Sequence, residues 1–130
     1  MKATGGLTDS EWKIMLTLWE QSPKTLRQIT DDVQKEMGWT KHTVISFLKR
    51  MEQKGSIRVE EASPARLYYP AIDKNSVVAD ETDWMIKRLY GGSSKLLVSN
   101  MVDKLGDEDI NELIAILQKA RKEHDSGTTP

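Results

Sequence analysis

Residues 40–70 read TKHTVISFLKRMEQKGSIRVEEASPARLYYP, and the change of period inside this stretch decides the fold. Val44, Phe47, Leu48 and Met51 fall at i, i+3, i+4 and i+7, the inner face of one helix. Thr40 sits where a helix takes its cap, and Gly55 where a left-handed residue closes one. After Gly55 the period becomes two: Ile57 and Val59 alternate with Arg58 and Glu60, as in a half-buried strand. Ser63, Pro64 and Ala65 supply turn chemistry, and Arg66, Leu67, Tyr68, Tyr69 and Pro70 form a return strand. Pro70 suits a strand end because it has no N–H to give to a ladder. The stretch predicts a helix followed by a β-hairpin.

Two more helices precede it. Thr8 and Glu11 have the capping-box spacing, and Trp12, Met15, Leu16 and Trp19 then make one buried stripe that Ser22 and Pro23 end. Thr25 and Gln28 repeat the capping spacing, and Leu26, Ile29 and Val33 carry a second helix to about Met37, where Gly38 breaks it. Trp12, Trp19 and Trp84 are expected in the core. Trp39 is expected to pack as a staple on the third helix rather than lie against a ligand.

Beyond Asp73 the pattern is helical throughout. Asn75 or Ser76 is expected to cap a helix that runs to Tyr90, with Val78, Met85 and Leu89 on one side, before Gly91 and Gly92. Ser93 opens a segment holding Leu96, Leu97, Met101 and Leu105. After Gly106, the acids Asp107, Glu108 and Asp109 sit in a first turn, where the helix dipole favours them. Ile110, Leu113, Ile114 and Leu117 follow as an apolar stripe. These helices span roughly fifty residues, too few to bury a core alone. A homodimer sharing a helical interface is the expectation, and folding back on the chain's own first half is the alternative. The fold class is therefore mainly α: a winged helix-turn-helix N-terminal domain over residues 1–73, a small helical dimerisation domain over 74–124, and a disordered tail over 125–130.

Composition narrows the chemistry. The 130 residues are 38% hydrophobic and 30% charged, with a net charge of −1, which excludes a globally basic coat protein. Cysteine is absent, so disulfides, thiolate metal sites and a cysteine nucleophile are excluded. His42 and His124 alone make a poor metal site, and no metal or cofactor is expected. No apolar run is long enough to span a bilayer, and Met1 to Gly6 has no apolar stretch to serve as a secretory signal, so the expected setting is the cytoplasm.

Charge is local. From Gly38 to Arg58 lie Lys41, Lys49, Arg50, Lys54 and Arg58 against the single acid Glu52, a net +4 inside a chain of −1. A phosphate backbone attracts such a segment. Opposite the apolar stripe of the third helix lie His42, Ser46, Lys49 and Gln53, with Thr43 and Arg50 flanking one side and Ile45 the other. Short polar groups beside one methyl-bearing neighbour suit base edges and thymine methyls in a major groove. The DNA-binding residues expected are Thr40, Lys41, His42, Thr43, Ile45, Ser46, Lys49 and Arg50 on the helix, with Arg58, Arg66 and Tyr68 reaching phosphates from the hairpin. His42 and Ser46 lie four apart like a base beside a nucleophile, but no acid on that face orients the imidazole, so no enzyme is expected. Two rival readings are a protein-interaction module of the same fold and a small-molecule sensor with a pocket lined by Trp84 and Tyr90.

With these residues assembled, the sequence resembles the penicillinase-repressor family, the BlaI/MecI type. The resemblance runs from about Leu7 to Leu117. It is carried by Leu7-Thr8-Asp9-Ser10-Glu11-Trp12 with Leu18-Trp19, by Trp39-Thr40-Lys41-His42-Thr43-Val44 leading to Leu48-Lys49-Arg50-Met51, and by Gly55-Ser56-Ile57 and Tyr68-Tyr69. Leu89-Tyr90-Gly91-Gly92 and Leu96-Leu97-Val98-Ser99-Asn100-Met101 extend it into the second half. The resemblance implies a dimeric repressor on a pseudo-palindromic operator that controls β-lactam resistance genes. It also implies a membrane sensor with a zinc-protease domain that leads to cleavage in the dimerisation part. The resemblance places that cleavage site, an asparagine followed by a phenylalanine in the family, at the matching pair Asn100-Met101. Copper-responsive relatives carry a cysteine cluster that this chain lacks. On the reading helix, a proline and an arginine frequent in the family are here Lys41 and Ile45, which implies a different base preference.

Overall fold

Thr8, Thr25 and Thr40 open three helices by the same chemistry. Each sits in extended backbone, and its hydroxyl accepts from the amide three residues on, Glu11, Gln28 and Thr43 respectively. Glu11 and Gln28 reach back to complete capping boxes. The computed structural model describes residues 7–128, with α1 at Asp9–Glu20, α2 at Leu26–Met37 and α3 at Lys41–Lys54. Gly38 and Gly55 end α2 and α3 at φ 68° and 88°, the left-handed region where a Cβ is penalised.

The hairpin follows directly, with β1 at Ile57–Glu60 and β2 at Leu67–Pro70, antiparallel. Its register pairs Ile57 with Pro70, Arg58 with Tyr69, Val59 with Tyr68 and Glu60 with Leu67. The α1–α2 connection joins this sheet: the Lys24 amide donates to the Tyr68 carbonyl at 3.1 Å, and the Tyr68 amide to the Lys24 carbonyl at 2.8 Å. Lys24 is held there by its ammonium, which donates to Thr17 and Asp32.

The core draws on every one of these elements: Ile14, Met15 and Leu18 from α1, Ile29 and Val33 from α2, Val44, Leu48 and Met51 from α3, and Ile57 and Tyr68 from the hairpin. Fully burying each such side chain stabilises the fold by about 1.5–3 kcal/mol. The period expected of α1 holds, but its phase shifts by one residue. The buried face is Glu11, Ile14, Met15 and Leu18, whereas Leu16 is exposed. Trp12 and Trp19 are half-buried at the edge of that face, packed edge to face at 5.7 Å. The Trp19 indole donates to the Ile72 carbonyl at 2.9 Å. An indole wants a partner for its N–H, which an edge position supplies and a core centre does not.

Three further helices follow: α4 at Lys74–Tyr90, α5 at Ser94–Met101 with a 3₁₀ turn at Val102–Lys104, and α6 at Asp107–Thr128. Asp73, rather than Asn75 or Ser76, opens α4. Its carboxylate accepts from the Ser76 amide at 3.1 Å and from the Ser76 hydroxyl at 3.2 Å. Ser93, read from the sequence only as the opening of a segment, caps α5, its hydroxyl accepting from the Leu96 amide. The chain falls into two compact units divided between Met85 and Ile86, inside α4. The sequence places its boundary at 73/74 instead. Val77 of α4 belongs to the first core, which draws the start of that helix into the first unit. α6 runs to Thr128, past residue 125 where the sequence reading begins its tail. Lys119 with Glu123 and Arg121 with Asp125 stand at i, i+4, a spacing that supports a last helical turn even without apolar residues. Residues 129–130 lie outside the described residues.

Candidate nucleic-acid interface

Burial of Val44, Leu48 and Met51 turns the opposite face of α3 to solvent. Lys41, His42, Ser46, Lys49 and Arg50 are exposed there, and Thr43 and Ile45 are half-buried at its margins. Thr40 serves the helix itself: its hydroxyl caps the Thr43 amide at 3.3 Å and lies 3.2 Å from the Thr43 hydroxyl. Trp39 packs on α3 as a staple, its ring 4.9 Å from that of Phe47. The Arg50 guanidinium lies over Phe47, 5.9 Å from the centre of its ring. Among the described residues, Lys41 and Lys49 take part in no ion pair, so both ammonium groups are available to phosphates.

Lys54 does not belong to that set. Its ammonium donates to both oxygens of Glu11, at 3.0 and 3.3 Å, and Glu11 has no exposed surface. Burial pushes the Glu11 carboxyl up. The Thr8 amide, Lys54 and the Thr8 hydroxyl more than offset this and hold it below its ordinary range.

Tyr68, expected to reach phosphates, stands opposite Val59 on the inner face and packs in the core, with its phenol still close enough to Arg66 to help raise that residue's pKa. Alternation puts its neighbour Tyr69 outside, opposite Arg58, whose guanidinium lies 4.1 Å over the Tyr69 ring. Both hairpin arginines already have acidic partners. Arg58 lies 3.6 Å from Glu60, and Arg66 lies 2.9 Å from Glu61, which raises the Arg66 pKa above its ordinary value.

Sequence reasoning missed Glu60 and Glu61, because it counted charge only as far as Arg58. It also missed a groove of about 720 Å³ between the start of α2, one flank of α3 and the hairpin, with Arg27 on its rim. No single element carries that groove, so no periodicity signals it.

Asn100 and Met101 are exposed at the end of α5, and the Asn100 amide donates to the Tyr90 hydroxyl at 3.0 Å. The peptide bond between them is helical, so a protease that takes an extended strand must first unwind this short helix.

Three helices, a hairpin wing, and a third helix with an exposed cationic face define a winged-helix DNA-binding protein. Comparison with known proteins gives the family. The chain belongs to the penicillinase repressor family, whose description matches residues 7–119, a family of DNA-binding transcriptional repressors and not of enzymes. It is 26% identical over 121 residues to the Penicillinase repressor of Bacillus licheniformis, covering 92% of this chain and 94% of that one. It is 25% identical over 115 residues to the Methicillin resistance regulatory protein MecI of Staphylococcus aureus strain N315, covering 87% and 94%. In fold it is similar to the solution structure of the Bacillus licheniformis BlaI monomeric form in complex with the blaP half-operator, with a TM-score of 0.51 and 24% identity over 58% of this chain and 92% of that one. The crystal structure of the transcriptional regulator Tm0710 from Thermotoga maritima is similar over 96% of this chain and 81% of that one, with a TM-score of 0.53 and 17% identity.

Proposed function

We propose that this chain is a cytoplasmic homodimer that sets two α3 helices on a pseudo-palindromic operator and so represses β-lactam resistance genes. Cleavage at Asn100-Met101, initiated by a membrane-bound sensor protease, ends the repression. One observation carries the dimer. From Ile86 to Asp125 no residue is buried, and Leu96, Met101, Ile114, Ile116 and Leu117 all stand exposed. Helices with that much apolar surface and no core call for a second chain. The class of regulated gene is supported by the relatives' names, and operator binding by the solved relative bound to a half-operator.

The mechanism is one of avidity. A single winged helix offers few base contacts, while two joined domains make the second docking intramolecular and add about 10²–10⁴ in affinity. A cut after Asn100 removes α6 and leaves α3 untouched. A chain ending at Asn100 is therefore expected to sediment as a monomer and to bind operator about 10²–10⁴ more weakly. A truncated chain that stays dimeric would sink the assignment.

A further inference from the structure

We propose that the groove between α2, α3 and the hairpin binds an organic anion with a flat apolar body, and that this occupant excludes DNA from α3. The apolar part of the lining is Leu26, Ile45, Leu48, Val59, Ala65 and Tyr68. A phosphate needs hydrogen-bond donors, and these side chains offer it few, so this part of the groove is poorly made as a seat for a nucleic-acid backbone. Its volume of about 720 Å³ lies within the ~300–1,000 Å³ usual for small-molecule sites, and an apolar lining with a few placed polar groups is their usual construction.

The rim supplies the sign of the ligand. Arg27, Lys41, Lys49 and Arg66 border the groove against the acids Asp31 and Glu52. Glu61 already occupies Arg66, but Lys41 and Lys49 have no ion pair among the described residues. They can take a carboxylate head while the body of the ligand covers Ile45 and Val59. Lys41, Ile45 and Lys49 belong both to this groove and to the face expected to read DNA. One molecule seated there stands where a duplex must come, so the two exclude each other, and each weakens the other's binding equally. The exclusion rests on the DNA-reading role of α3; the binding of the anion does not.

The test uses the full chain at fixed ionic strength, with biphenyl-4-carboxylate as probe and biphenyl-4-carboxamide as its neutral control. Amide-resolved NMR titration is expected to show saturable shifts at Ile45, Val59 and Tyr68 at sub-millimolar probe. The carboxamide and a Lys41→Gln, Lys49→Gln double variant are each expected to bind at least about tenfold more weakly, having lost the charge-assisted contact. Ala65→Trp, which fills the groove from an exposed turn, is expected to abolish the shifts. In parallel, fluorescence anisotropy with mixed-sequence duplex DNA is expected to show the DNA Kd rising about tenfold when probe stands at ten times its own Kd. Absence of saturable shifts, shifts centred away from the groove, or equal binding of the carboxamide would overturn the site or its ligand class. Bound probe with an unchanged DNA Kd would overturn the exclusion. Should the chain alone fail to bind DNA, the exclusion falls with the reading beneath it, and the NMR titration still decides the groove.

Discussion

A carboxylate without exposed surface is costly unless its oxygens are matched, and Glu11 has two partners: the Thr8 amide at 2.9 Å and the Lys54 ammonium. Its carboxyl sits below the ordinary value of 4.5, so its contribution to stability is present above that value and is lost as pH falls through the folded one. Asp32, lowered chiefly by the Lys24 ammonium and then by the Thr17 hydroxyl, behaves the same way below 3.8. Glu11→Gln is expected to reduce the free energy of unfolding at neutral pH by about 1–3 kcal/mol. It should also remove the part of the acid sensitivity that begins near 4.5, as read by urea melts across pH. An unaltered acid profile would assign that sensitivity elsewhere. The local half of this arrangement was legible, because Thr8 and Glu11 lie three apart. The Lys54 partner, forty-three residues away, was not, because only the packing of α3 on α1 brings it there. On the reading face the residues divide by partner. Lys49→Ala is expected to weaken binding to all duplexes and lower the salt slope by about one, whereas Ser46→Ala should change preference between sequences at constant slope. Equal loss in both variants would deny that α3 separates these roles.

Each element of the first unit follows from short-range chemistry, which is why order and type were legible, with the inner faces of α2 and α3, while the face of α1 was off by one residue. Caps at Thr8, Thr25 and Thr40 and left-handed glycines at 38 and 55 set the helix limits, and the change from a period near 3.6 to one of two marked the hairpin. Which side of a strand faces the core depends on register. Pairing Val59 with Tyr68 sent Tyr68 inward and Tyr69 out to meet Arg58. The same hairpin holds Glu60 and Glu61 against its two arginines, so the wing brings no net charge to a phosphate backbone. Exposed pairs of this kind contribute little to stability. The double variant Glu60→Gln, Glu61→Gln should therefore melt as the parent does and bind mixed-sequence DNA about 3–10-fold more tightly, with a salt slope steeper by up to about two. An unchanged slope would mean that the wing stays away from the backbone.

At the scale of the whole molecule, the first unit closes its own core and the second does not. The helices of the second unit could be read from Gly91, Gly92 and Gly106 and from their apolar stripes. What covers those stripes could not, because a partner surface leaves no mark in one copy of the sequence beyond the need for it. Leu117 makes the distinction measurable. It is 60% exposed in the single chain, so if the chain is a monomer, Leu117→Asp changes little, within about ±0.5 kcal/mol. If α6 meets its copy there, the substitution buries a charge opposite apolar neighbours and splits the pair. The parent is then expected to melt at a temperature that rises with protein concentration, because association stabilises the folded chain by mass action. The Leu117→Asp chain should lose that dependence, sediment as a monomer and bind a two-half-site duplex no better than a single half-site. The first unit should keep its own melting transition, since Leu117 takes no part in its core. A Leu117→Asp protein that still sediments as a dimer would place the interface off this face of α6, and the shared reading of two half-sites would need another surface to join them.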